Sequence, residues 1–280
     1  MNSITPDNII VHGLWIGNSL SQMELLTINS YIKNRHTFYL WTYQPLTNKL
    51  PIEIILKDAN SIIPENKIFR YKYKNQFGHG KGSLGGFSDL FRYKLLYEHG
   101  GWWTDMDITC LKPLDFEQPY VFRTHHELKL VGNLMKCPKN STLMKICYEK
   151  AAIEINEENK DWHKPIQILI DEVKIQQLEK YILELTNYDS WNLIRTYLIK
   201  NITLPTNWYA IHWINEEWRR NYIRKEIFKS NSTYGILMNK HGLFTKKETL
   251  ITSFLYWLKL TYIVASIRQL PFFFVRYLKK

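Results

Sequence analysis

The sequence predicts an α/β protein built on a largely parallel sheet. Short apolar runs alternate with helical patterns over about the first hundred residues. The segment SDLFRYKLLYEHGG carries a full set of helix start and stop signals, and no internal repeat or low-complexity linker interrupts the chain. With 280 residues, 45% of them hydrophobic, the chain can bury a sizeable core as one large domain or two small ones.

In order along the chain, NIIVHGLWIG reads as a buried strand ending at Gly17. A helix is expected over residues 19–34, then a second strand at TFYLWTY. NKLPIEIILKDAN and KIFRYKYK supply further extended or mixed pieces. A glycine-rich loop, FGHGKGSLGGF, opens at Phe77. It lacks the spacing of a phosphate-binding P-loop, which leaves either a flexible approach to a ligand or an ordinary surface loop. In the helix that follows, Ser88 suits the N-cap, Asp89 the electropositive first turn, and Gly100 or Gly101 the left-handed stop. Asp89 and Arg92 lie three apart and share a face, as a helix-stabilising ion pair or as part of a site. Further on, YVFRTHHELKLVGN reads as a strand pair and STLMKICYEKAAIEI as a helix. KPIQILIDEVKIQQLEKYILEL reads as one amphipathic helix, and LPTNWYAIHWINEEWRR concentrates aromatic rings around His212.

The sharpest feature is GGWWTDMDITC. In one extended strand, Trp103, Asp105, Asp107 and Thr109 would point to the same side. Two carboxylates facing one pocket repel each other unless a cation lies between them or one keeps its proton. Mg²⁺ and Mn²⁺ favour such oxygen ligands and complete their shell with phosphate and water, so the pair makes sense as half of a metal–diphosphate site. An EF-hand is excluded, because Ile108, Thr109 and Cys110 follow where a glycine and further oxygen ligands are required.

Ser88, Asp89, Arg92, Gly100, Gly101, Trp103, Asp105 and Asp107 together resemble the DXD-containing sugar-binding region of family 32 glycosyltransferases and their relatives, with Trp103 where tyrosine is common. IIVHGLWIG is similar to that family's N-terminal strand, and YAIHWINEEW to its C-terminal segment, with Glu217 where serine usually precedes Trp218. The resemblance implies a GT-A-like (Rossmann-like) fold, a nucleotide-sugar donor, a divalent cation (Mn²⁺ or Mg²⁺) and retention of anomeric configuration. It further implies that Asp107 coordinates the cation, and that Asp105 contacts the ribose or acts through metal-bound water. Asp89 and Arg92 would hold the sugar hydroxyls, Trp15 would stack on the base, and Trp218 would close over the donor. His212 would be a late metal ligand or a phosphate contact.

The formal net charge of +11 points to an anionic partner: nucleic acid, a nucleotide-bearing substrate or an acidic lipid surface. The ten tryptophans and eighteen tyrosines can be core but also suit sugar- or base-stacking sites and membrane interfaces. Three cysteines without metal spacing, and an N-terminus without a basic or apolar leader, fit a reducing cytoplasm. Residues 1–245 are expected to form the glycosyltransferase domain and 246–280 a basic, aromatic-rich helical tail. The apolar stretch 250–267 is near the lower bound of about 18 residues for a spanning helix. Lys259 at its middle and the basic flanks favour a helix lying on an anionic membrane, the alternative being a packed C-terminal helix. These features combine into a transferase at the inner face of the cytoplasmic membrane, acting on a glycan or lipid-linked glycan acceptor to build capsule, O-antigen or lipopolysaccharide core. A toxin-like protein glycosyltransferase would keep the same donor site. A basic nucleic-acid or membrane binding module would need the aspartates to be incidental, so no nucleic-acid partner is expected.

Overall fold

Ile10–Trp15 forms β1 and lies between two parallel neighbours, β2 (Thr37–Thr42) and β4 (Gly101–Thr104). The computed structural model describes residues 4–78, 80–221, 223–244 and 260. β3 (Ile55–Asp58) extends the parallel set beyond β2. On the other side of β4 come β7 (Lys129–Cys137), β6 (Val121–His125) and β8 (Ile182–Leu183), giving the order β3-β2-β1-β4-β7-β6-β8. β7 is antiparallel to both β4 and β6, while β8 is parallel to β6. The sheet is mixed but mainly parallel, a Rossmann-type α/β arrangement. β1 leads outward through β2 to β3, whereas β4 begins on its opposite side. That reversal makes a topological switch point at the carboxyl ends of β1 and β4, the place where open α/β sheets bind their ligands.

α1 (Pro6–Ile9) is a single turn, and α2 spans Gln22–Lys33 inside the expected 19–34. α3 (Gly85–His99) buries Phe87, Phe91, Leu95 and Leu96 in a core shared with α4 (Thr142–Glu154) and α5 (Lys164–Ile175). Gly100 ends α3 with φ of 69°, and a Cβ there would stand 2.5 Å from the Lys139 backbone nitrogen, so only glycine fits. α4 starts as its sequence predicts, with the Ser141 side chain accepting from the Met144 N–H.

Two expectations are corrected. α3 begins at Gly85, so Ser88 sits inside the helix and caps nothing. The long amphipathic helix stops at Ile175, because Gln177 takes a left-handed φ of 55° and the chain passes through a short turn into β8.

The chain divides into two compact units. The sheet belongs to the first, which holds Met1–Leu20, Thr27–Tyr188 and Thr206–His212. The second holds Ser21–Leu26, Asp189–Pro205 and Trp213–Lys280, and includes α6 (Trp191–Ile199), α7 (Asn215–Arg220) and α8 (Thr233–Lys240). Within it the rings of Trp213, Trp218 and Phe228 pack around Tyr234, and Glu24 pairs with Lys225. Among the described residues no helix is long and apolar enough to cross a membrane. The expected tail, 246–280, lies outside the described residues except for Leu260, whose carbonyl accepts from Arg195.

Candidate functional site

β4 carries Trp103 and Thr104 to the carboxyl edge of the large sheet. The chain then turns through Asp105, Met106 and Asp107 and re-enters extended structure as β5 (Ile108–Cys110). β5 belongs to a separate two-stranded sheet with β9 (Ala210–His212), in which Ile108 stands opposite His212. This corrects the expectation of one continuous strand. The alternation of sides breaks at the aspartates, and a turn rather than a pleat gathers them.

Arg92 reaches the turn from α3. Its guanidinium holds Asp89 through Nη1 at 3.0 Å and Asp105 Oδ1 through Nη2 at 2.8 Å. The Trp103 indole N–H donates to the same Asp105 oxygen at 2.8 Å, and the guanidinium lies 5.1 Å from the centre of that ring. Trp103 is itself buried, so it works through its N–H rather than through an exposed face. The Asp105 backbone N–H donates to the carbonyl of Asn133 on β7, which ties the turn to the sheet. Gly132 beside it lies under Arg92: a Cβ there would meet Nη1 at 2.7 Å.

The electrostatics are those of too many carboxylates for one cation. Burial pushes Asp89 up to about 6, with Arg92 pulling down and Asp105 adding to the rise. Burial also raises Asp105; Arg92 and the Trp103 N–H oppose the rise, and Asp107 reinforces it.

The structure brings His212 to this corner. Its Nε2 stands 3.3 Å from Asp107 Oδ2, and its Nδ1 stands 3.4 Å from the side-chain nitrogen of Asn133. Asn187 grips the His212 backbone from both sides, its Oδ1 accepting from the N–H at 2.8 Å and its Nδ2 donating to the carbonyl at 3.1 Å. Behind them lies Arg123 of β6, fully buried. It donates to Thr186 Oγ1, to Asn133 Oδ1 at 3.3 Å and to the Asn187 carbonyl at 2.8 Å. Sequence reading did not single out Asn133, Asn187 or Arg123. The one signal was an arginine inside the apolar start of a strand, Val121–Phe122–Arg123.

Trp15 ends β1 on the carboxyl side of the sheet, half-buried, with its indole N–H fixed on the Ser19 carbonyl at 3.0 Å. Trp218 belongs to the second unit, where its ring is wholly buried and its N–H donates to the Trp213 carbonyl.

A divalent cation suits this donor set. Asp89, Asp105 and Asp107 exceed the positive charge that Arg92 supplies, and Asp105 is still a third exposed after Oδ1 has taken Arg92 and Trp103. Among the described residues no group of three or more His, Cys, Asp or Glu is placed to hold a metal ion by itself.

Residues 22–122 match the family described as the glycosyltransferase sugar-binding region containing a DXD motif, a span that includes Asp89, Arg92, Asp105 and Asp107. The matched segment is similar to such a region, and the enzyme class that the match indicates is glycosyltransferase. No curated protein matches the chain. Among solved structures it is similar to the PaToxG glycosyltransferase, at 15% identity over 60% of this chain and 68% of that one, with a TM-score of 0.43. It is also similar to the apo form of the glycosyltransferase GlyE of Streptococcus pneumoniae TIGR4, at 11% identity over 83% of this chain and 62% of that one, TM-score 0.40.

Proposed function

We propose that the chain transfers a sugar from a nucleotide-sugar donor to a growing bacterial surface polysaccharide, with a divalent cation and with retention of anomeric configuration. The supporting observation is the bridge Asp89–Arg92–Asp105 beside the Asp107–His212 pair, set at the carboxyl ends of β1 and β4. Asp107 and Asp105 would hold Mn²⁺ or Mg²⁺, which when bound offsets the charge that develops on the departing diphosphate. Arg92, fixed at both ends by carboxylates, keeps Asp89 and Asp105 in place for sugar and ribose hydroxyls. Trp15 offers a held indole to the base, with its N–H already committed to Ser19. Trp103 orients Asp105. Burial of Arg92 and Asp89 strengthens the contact between them.

The acceptor side rests on sequence alone. The basic, aromatic-rich residues 246–280 would keep the enzyme at an anionic membrane surface, near a lipid-linked glycan. The test is a panel of nucleotide-sugars with and without Mn²⁺ or Mg²⁺, read as donor hydrolysis and as transfer to lipid-linked glycan or to protein. Metal-dependent turnover of one donor, and sugar appearing on the glycan, is the expected result. Turnover that survives complete chelation overturns the metal role, and sugar found only on protein overturns the polysaccharide reading.

A further inference from the structure

The polar chain behind the aspartates fixes more than position. Arg123 is a donor at every nitrogen, so the Asn133 atom facing its Nη1 at 3.3 Å must be the carbonyl oxygen. That settles which way the amide points, and the NH₂ faces Nδ1 of His212 at 3.4 Å. An NH₂ group only donates, so Nδ1 must accept, and in a neutral imidazole the proton then resides on Nε2. Nε2 faces Asp107 Oδ2 at 3.3 Å, an acceptor that suits the N–H. A histidine that ligates a cation through Nε2 needs the opposite arrangement, with the proton on Nδ1 and an acceptor behind it. Here a donor stands behind it. Turning the Asn133 amide to supply an acceptor would set its NH₂ against the guanidinium of Arg123.

The geometry points to Arg123 and Asn133 as positioning residues. They hold His212 as an Nε2–H donor, so that it contacts Asp107 and the anionic donor substrate and does not ligate the cation. The inference deepens the proposed transferase site and rests on that reading for its substrate. The tautomer itself can be measured whether or not any donor is turned over.

The experiment is long-range ¹H–¹⁵N correlation NMR at pH 8 on protein labelled at histidine nitrogen, with His212 assigned by its loss in His212→Gln. The expected wild-type spectrum has a protonated Nε2 and a pyridine-like Nδ1, unchanged when Mg²⁺ alone is added. In Asn133→Asp both side-chain oxygens accept, so a proton should appear on Nδ1. A wild-type Nδ1–H, loss of the Nε2 proton on adding Mg²⁺, or an unaltered tautomer in Asn133→Asp would each overturn the inference. The two wild-type measurements decide the matter if the variant does not fold. Absence of donor turnover with the tautomer as expected would count against the transferase reading and leave this one standing.

Discussion

Replacing Arg92 by methionine tests the electrostatic account of the site directly. Arg92 alone bridges Asp89 and Asp105, at 3.0 and 2.8 Å, and its side chain is only 5% exposed. Removing one partner from a buried ion pair costs about 3–5 kcal/mol. Asp105 is a third exposed, so solvent screens part of its loss, and about 2–4 kcal/mol is expected at pH 8. The loss should depend on pH, and the sign follows from the carboxylates. Asp89 sits near 6 in the folded protein, above the ordinary carboxylate value of about 3.9, and Asp105 is also raised. Between those limits the folded state binds more protons than the unfolded state, so stability falls as pH rises through the folded values. Arg92 holds both groups down, so its removal lifts them further and steepens the fall. Urea denaturation of wild type and Arg92→Met at pH 5 and pH 8 should show a deficit that is small at pH 5 and near its full size at pH 8. An equal deficit at both values would mean that the methionine costs packing only, and the picture of excess negative charge would be wrong.

Four further outcomes are expected. Asp107→Asn and Asp105→Asn should each abolish metal-dependent donor turnover while the circular dichroism spectrum stays that of folded protein; wild-type turnover in either would remove it from the site. Gly132→Ala should displace the Arg92 guanidinium, which a Cβ would meet at 2.7 Å, and lower turnover by about tenfold or more with little loss of fold; unchanged kinetics would show that the guanidinium has room to shift. Burial of His12 lowers it to about 3, so the protein should lose stability as pH drops below about 6.5, and His12→Gln should flatten part of that limb in thermal melts. An equally steep acid limb in the variant would assign the loss to other groups. Truncation after Thr245 should leave donor hydrolysis intact while abolishing salt-sensitive sedimentation with anionic vesicles; equal pelleting of both forms would rule out the tail as the membrane contact.

The local parts of this structure were legible in the sequence. The Asp89–Arg92 pair, the stop at Gly100, the β6–β7 hairpin and the Ser141-capped helix all depend on neighbours within a few residues. The start of α3 was not legible, because Gly85 and Gly86 look like loop. Gly86 is helical where Tyr71 packs so close that a Cβ would stand 2.1 Å from its hydroxyl oxygen, a contact that no local pattern reveals. The same holds for the turn at Asp105–Asp107. A strand-like string was expected to continue, yet β4 pairs with β7 and β5 pairs with β9. Only long-range pairing breaks it in two. Asn133 and Arg123 escaped notice because their importance lies in what they face across the sheet.

The transfer of the chain from one sheet to another at the aspartates also has a bearing on synthesis. Asp89, Arg92, Asp105 and the β7 strand that steadies them leave the ribosome early and can dock as a unit. The imidazole and the strand that carries it emerge much later, after α4, α5 and α6. A nascent chain that folds as it emerges would gather the carboxylates before His212 leaves the exit tunnel. Domains generally fold as they emerge, N-terminal parts first, and distant pairings are the slow ones to form. Competence for donor binding would then be conferred in a single late event, the docking of three residues against β5, and a chain ended before that point would lack His212.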